Sequence, residues 1–240
     1  MNRFCLTRQP VIGLATRSVL ALLALLALGG PAHAQNEAVL ADPTAQPAGP
    51  PRELILSDAA IDRRACKRDV VVDEVPLKWD PLEKGVDAAW EAYTAGDFAK
   101  SVPLFKKLAD IGHPVAQRLM GVVYYFGQGV PVDYRMSLFY FESAANQGCF
   151  SAYAPTAQLY DRGEGALPDP GRAYAWYNIA VAHLPQSKER TDMIALREAV
   201  AAQLTPAQLE AAQKRSLAFR PKPVAPPDIG DLPEDFFRQP

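Results

Sequence analysis

Hydrophobic positions between Lys84 and Phe219 recur at three- and four-residue spacing, the period of amphipathic helices. In "HPVAQRLMGVVYYF", His113–Phe126, this spacing puts Ala116, Leu119 or Met120, Val123 and Tyr124 on one face. In "YRMSLFYFESAANQG", Tyr134–Gly148, it turns Leu138, Phe141 and Ala145 inward and lets Gly148 stop the helix. Gly and Pro fall between such runs. The prolines that depart from this are Pro103 and Pro155, expected near helix starts, where proline is tolerated. Gly121 sits inside a helical run at a propensity cost of about 1 kcal/mol. Such a glycine is expected where a second helix passes close, since it adds no side-chain bulk.

The pattern repeats. A shift of 36 residues carries Ala116 onto Ala152, Tyr124 onto Tyr160, and Gly127 and Gly129 onto Gly163 and Gly165. It also carries Asp133 onto Asp169 and Ala144 onto Ala180, without a gap. The same shift backwards aligns Asp97 with Asp133, Ser101 with Ser137 and Gly112 with Gly148. A constant period of this length predicts an array of helical hairpins. Within each, "GQGVPVD" or "GEGALPDPG" ends the first helix with glycines free to turn left-handed. Asp133 and Asp169 are placed to cap the second helices, with Pro170 just inside one start. A phosphate loop needs G-x-x-x-x-G-K-[ST] after a strand, and a dinucleotide fingerprint needs a strand and a third glycine. Neither pattern is present, so these glycines are turn residues.

"AQRLMGVVYYFGQGVPVDYRMSLFYFESAANQG" resembles a Sel1-like repeat, a relative of the tetratricopeptide repeat with a longer inter-helix loop. The pattern is met at Ala116, Leu119, Gly121, Tyr124, Gly127, Gly129, Asp133, Ala144, Ala145 and Gly148. It recurs at Tyr160, Gly163, Gly165 and Asp169, and departs at Pro155 and Ala157. The first hairpin, "AYTAGDFAKSV", lacks the long loop and is closer to an ordinary tetratricopeptide turn. "ALREAVAAQLTPAQLEAAQKR" resembles a helical C-terminal cap. The resemblance implies an all-α fold, a short right-handed α-solenoid of stacked hairpins at 84–112, 113–148 and 149–184, with capping helices at 187–219. It also implies a non-catalytic interaction scaffold that binds a protein or peptide on its concave face.

The flanks read differently. Residues 1–34 carry Arg3, Arg8 and Arg17, then "SVLALLALLALGG" and an A-x-A-like site ending at Ala34, the order of a secretory signal peptide. Its removal leaves no stable transmembrane segment expected and predicts a periplasmic or secreted protein of a Gram-negative-type envelope. Residues 35–83 form a low-order extension with a strand-like run at Val70–Val75. Residues 220–240, Pro-rich, are expected to form an extended, disordered tail. Of 25 Lys and Arg, three leave with the leader, so 22 face 27 acids and the formal charge is -5. No basic patch is concentrated enough for nucleic acid. An oxidising compartment permits a Cys66–Cys149 disulfide, with two separate thiols as the alternative.

Candidate chemistry is sparse. His113 and His183 lack the neighbours of a metal site, no G-x-S-x-G or S-x-x-K serine occurs, and Asp161 and Glu164 read as solvated loop charges. No catalytic residue, metal or cofactor is expected. Of the aromatics, most suit packing between hairpins, while Tyr125, Phe139 and Tyr153 are the candidates for a partner-binding surface. The partner class is a protein or peptide of the envelope. The alternative is an accessory factor of a cell-wall glycan enzyme, recruiting the enzyme or binding glycan.

Overall fold

Aspartate and glycine punctuate the chain, and the helices follow that punctuation. The computed structural model describes Cys66, residues 71–72, 75–76, 79–184 and 186–233, and Phe236. The expected leader, most of the extension at 35–83 and residues 237–240 lie outside the described residues. Where a strand-like run was expected, β1 (Val71–Val72) and β2 (Val75–Pro76) pair antiparallel, Val71 opposite Pro76 and Val72 opposite Val75.

Eight helices follow among the described residues. They are α1 (Asp80–Thr94), α2 (Phe98–Asp110), α3 (Pro114–Phe126), α4 (Tyr134–Asn146), α5 (Tyr153–Arg162), α6 (Pro170–His183), α7 (Lys188–Ala201) and α8 (Pro206–Ala218). α1 with α2, α3 with α4 and α5 with α6 form hairpins, each packed on the next through α2 on α3 and α4 on α5. α7 and α8 both close over α6. The result is an α-solenoid of stacked hairpins.

The second helices share one start. Asp97, Asp133 and Asp169 accept from the backbone N–H of Lys100 at 3.1 Å, Met136 at 2.9 Å and Arg172 at 2.8 Å. Each satisfies an amide that the helix itself cannot. Gly127 and Gly163 end α3 and α5 left-handed, both at φ 68°. The N–H of Asp133 then returns to the Tyr124 carbonyl, and that of Asp169 to the Tyr160 carbonyl, both at 3.0 Å.

Helix pairs meet where the small residues lie. A Cβ on Gly121 would stand 2.8 Å from the Phe141 ring, and Ser137 Oγ donates to the Gly121 carbonyl at 2.8 Å. The glycine inside α3 is therefore the contact point of α3 and α4. Leu119, Met120, Val123, Leu138, Phe141 and Ala145 are buried around it. Pro103 differs from expectation: it lies in the second turn of α2, where it removes a ladder hydrogen bond, while Pro155 does fall in a first turn.

Two ties bring the flanks onto the solenoid. Cys66 and Cys149 are joined by a disulfide with Cα atoms 4.4 Å apart, and both are buried. The Pro-rich tail, expected to be disordered, is docked where it is described: residues 219–228 carry no regular secondary structure and Ile229–Asp231 form a single 3-10 turn. Lys222 N–H donates to the Asn146 carbonyl at 2.7 Å, and Val224 N–H to Gln147 Oε1 at 3.0 Å. The physical reason is that proline restricts the free chain, so less entropy is lost when the segment docks. Among the described residues no helix is long and apolar enough to cross a membrane.

Candidate functional site

The Gly-x-Gly loops face the preceding hairpin. Tyr93, near the end of α1, donates its hydroxyl to Gln128 Oε1 at 2.7 Å. One hairpin later Tyr125, near the end of α3, donates to Glu164 Oε2 at 3.1 Å. Gln128 and Glu164 are the middle residues of the two loops, so each loop reaches back to a tyrosine of the hairpin before it. The following glycines press on the same neighbour. A Cβ on Gly129 would stand 2.6 Å from Phe98 Cβ, and one on Gly165 would meet the Tyr134 backbone, 2.6 Å from its carbonyl carbon. Sequence reasoning missed this clasp. Its trace was there: an acceptor side chain at the same repeat position, 35 and 39 residues after a tyrosine.

This geometry corrects two of the three surface candidates. Tyr125 is fully buried beneath the loop carrying Glu164, with Arg162 Nη1 donating to its hydroxyl oxygen at 3.3 Å. Tyr153 is buried too, stacked on Trp176 at 5.7 Å and met edge-on by His183 and by Phe219. Phe139 alone stands out, 58% exposed on α4, with Tyr140 edge-on behind it at 5.1 Å.

Beside Phe139 a polar seam links α4 to α6. Tyr160 donates to Glu142 Oε1 at 3.0 Å and accepts from Arg172 Nη1 at 2.7 Å, while the Arg172 guanidinium lies 5.1 Å from the Tyr160 ring centre. An open depression of about 290 Å³ adjoins it, lined by Glu142, Asn146, Arg172, Trp176, Ile179 and Arg215 among others. Tyr140, the ring behind Phe139, in turn stacks on Tyr124 at 5.7 Å.

The electrostatics favour hydrogen-bond donors over reactive groups. Burial, and then the Glu142 charge, push the Tyr160 phenol up to about 12. Burial, and then Glu164, raise Tyr125 well above the ordinary tyrosine range. Tyr177 rises by burial and by the Asp161 charge, and the Asp161 carboxyl itself rises by burial. These phenols stay protonated, and Tyr125 and Tyr160 act as donors. His113 caps α3 through its ring, 3.5 Å from the Ala116 N–H, and His183 Nδ1 lies 2.8 Å from the Ile179 carbonyl. Among the described residues no three His, Cys, Asp or Glu side chains gather as a metal site would require.

A family model of the Sel1 repeat matches residues 114–149 and 152–183. These hairpins are Sel1 repeats. The Sel1 repeats thus begin at α3 and end with α6, and both contain the clasping loop. Chitin synthase regulatory factor 4 of Schizosaccharomyces pombe is 42% identical over 73 residues, 30% of this chain and 12% of that protein. An uncharacterized protein of Neisseria meningitidis serogroup B is 36% identical over 88 residues, 36% of this chain and 18% of that one. The chain therefore spans less than a fifth of the curated relatives it matches. The crystal structure of a protective antigen of uropathogenic Escherichia coli displaying an SLR fold aligns with a TM-score of 0.52 at 24% identity. It covers 57% of this chain and 29% of the other, and it shows the fold alone.

The Sel1 repeats offer two surfaces. One is the open α4–α6 face around Phe139. The other crosses the helix-end junctions after α2 and α4, where the C-terminal tail lies. Helical repeat solenoids of this kind serve as scaffolds for protein partners.

Proposed function

We propose that the chain is a non-catalytic adaptor of the bacterial envelope, holding a polypeptide partner against the open face of its Sel1 repeats. The observation that carries this is Phe139, a phenyl ring 58% exposed beside the Glu142–Tyr160–Arg172 seam and its depression. Exposed aromatics rimmed by fixed polar groups are the usual anchors of protein contacts. The disulfide between Cys66 and Cys149 supports an oxidising, exported location, because such bonds persist there.

The test uses immobilised full-length chain and its Phe139→Asp variant, each exposed to an envelope extract. The substitution removes a mostly exposed ring whose ring contact is the edge of Tyr140, so the melting temperature is expected to fall by no more than about 4 °C. Polypeptides retained by the native chain and lost by the variant support the reading. Retention of the same set by both would overturn the Phe139 surface, and recovery of nothing would overturn the adaptor.

A second reading is favoured by the likeness to a chitin synthase regulatory factor. In it the adaptor recruits a cell-wall glycan enzyme, and that enzyme is among the polypeptides retained.

A further inference from the structure

After α8 the chain turns back along the hairpins in reverse order. Phe219 packs edge-on against Trp176 at 5.3 Å and Tyr153 at 5.9 Å, on the third hairpin. Lys222 reaches the Asn146 carbonyl at the end of the second. Val224 lies over the junction of the first and second, where a Cβ on Gly112 would stand 2.9 Å from Val224 Cγ1. Farther on, Lys107 Nζ of α2 donates to the Phe236 carbonyl at 3.3 Å.

The hydrogen bonding of this segment is selective. Alternate N–H groups of an extended chain face the same side. Between Pro221 and Val224 only Lys222 and Val224 carry an N–H, since proline has none, and both N–H groups point into the solenoid. The two acceptors are built for them. Asn146 closes α4, so its carbonyl has no partner within that helix. Gln147 is buried at 3% exposure, and its Nε2 donates to the Gly112 carbonyl at 2.8 Å and to Gln117 Oε1 at 2.7 Å. Those two bonds occupy both hydrogens of the carboxamide and turn Oε1 outward to receive the Val224 N–H. The seat therefore offers an aromatic niche, two acceptors at alternate-residue spacing and a side-chain-free patch at Gly112.

We propose that this seat is a recognition site for a partner polypeptide carrying an extended aromatic-X-Pro-X-Pro-aliphatic run, and that the chain's own tail is its resident occupant, displaced when the partner binds. It shares with the proposed adaptor role only the premise that the ligand is a polypeptide. Phe139 is not among its contacts, although the two surfaces adjoin at Asn146 and Trp176, which line the depression and also meet the tail. Alternating prolines suit it because they hold the segment extended before docking and place no amide where no acceptor waits.

The test is a titration of a labelled peptide of residues 219–228 against full-length protein and a full-length variant with Lys222→Pro and Val224→Asp. The variant loses one tail N–H and the aliphatic anchor, while the helical array keeps its sequence. It is expected to bind the peptide about tenfold more tightly than the native chain, whose tail competes. N-methylation of the peptide's Lys and Val amides is expected to weaken binding about tenfold or more. In the native chain, excess peptide is expected to strip hydrogen-exchange protection from the Lys222 and Val224 amides. A folded variant, helical by circular dichroism, that ignores the peptide would overturn the proposal, as would equal binding of the N-methylated peptide. A concentration-dependent dimer abolished by Lys222→Pro would overturn it in favour of tail exchange between copies. Loss of Phe139-dependent capture moves none of these titrations, so the two readings fail separately.

Discussion

The first hairpin reverses from α1 to α2 across Ala95, Gly96 and Asp97, whereas the Sel1 repeats run from Gly127 to Asp133 and from Gly163 to Asp169. All three turns deliver the same aspartate cap to the next helix. The extra residues are therefore not needed to reverse the chain. They reach backwards, Gln128 to Tyr93 and Glu164 to Tyr125, with Gly129 and Gly165 pressed on the starts of α2 and α4. Among the described residues no helical hairpin precedes α1, and an added Cβ at Gly96 in its turn would meet nothing within 4 Å. The long loop is a clasp between neighbouring hairpins.

The largest expected effect tests that difference at equal backbone geometry. Gly165 has φ 87° and Gly96 φ 78°, but an added Cβ meets the Tyr134 backbone at the first and nothing within 4 Å at the second. Gly165→Ala is expected to cost about 3 kcal/mol, left-handed strain plus overpacking, and Gly96→Ala about 1 kcal/mol from strain alone. Urea denaturation measures both. Equal losses would break the comparison.

Next comes the clasp itself. Tyr125 and Glu164 are buried, whereas Tyr93 and Gln128 are half-buried. Tyr125→Phe removes a donor from a buried carboxylate and is expected to cost about 2 kcal/mol, against about 1 kcal/mol for Tyr93→Phe. The same denaturation series reads the order, and a larger loss at Tyr93 would contradict it.

A smaller and uniform effect is expected at the caps. Asp97→Ala, Asp133→Ala and Asp169→Ala should each lose about 1 kcal/mol, because each removes one bond to an otherwise unsatisfied amide. A cap effect confined to the Sel1 repeats would mean that the short turn is built on other contacts.

The pH term is the smallest near neutrality and grows in alkali. Tyr160 rises from 10.0 to about 12 in the fold, chiefly by burial. A phenol held protonated by the fold favours the folded state below its unfolded pKa. Above it the unfolded state binds fewer protons, so stability falls as pH rises. Loss is expected to begin near pH 10 and continue to about 12, with Tyr125 and Tyr177 contributing in the same direction, so Tyr160→Phe should reduce the slope without abolishing it. Thermal melts across the alkaline range measure it.

Much of this architecture was legible in the residues. The recurrence of Gly127, Gly129 and Asp133 at Gly163, Gly165 and Asp169 marks hairpins, turns and caps, since each works through its own neighbours in the chain. Gly121 was readable as a close approach for the same reason: a missing side chain implies something occupying its place. The surface around Phe139 was only partly legible. Tyr125 and Tyr153 have the same aromatic character as Phe139, yet one lies beneath the next hairpin's loop and the other beneath Phe219 and Trp176.

The tail teaches the same lesson from the other side. Its prolines announced few amides and a stretch that cannot continue the helix before it. Nothing near Lys222 in the chain announces Asn146, and the bond from Val224 to Gln147 spans 77 residues. What the sequence determined by itself was the repeat: helix period, turn and cap, interactions that close within a few residues. What only the tertiary structure decided was which aromatics are surface, what the Gly-x-Gly loops grip and where the tail lies. Those depend on groups brought together by stacking one hairpin on another, and local pattern carries no record of that neighbour.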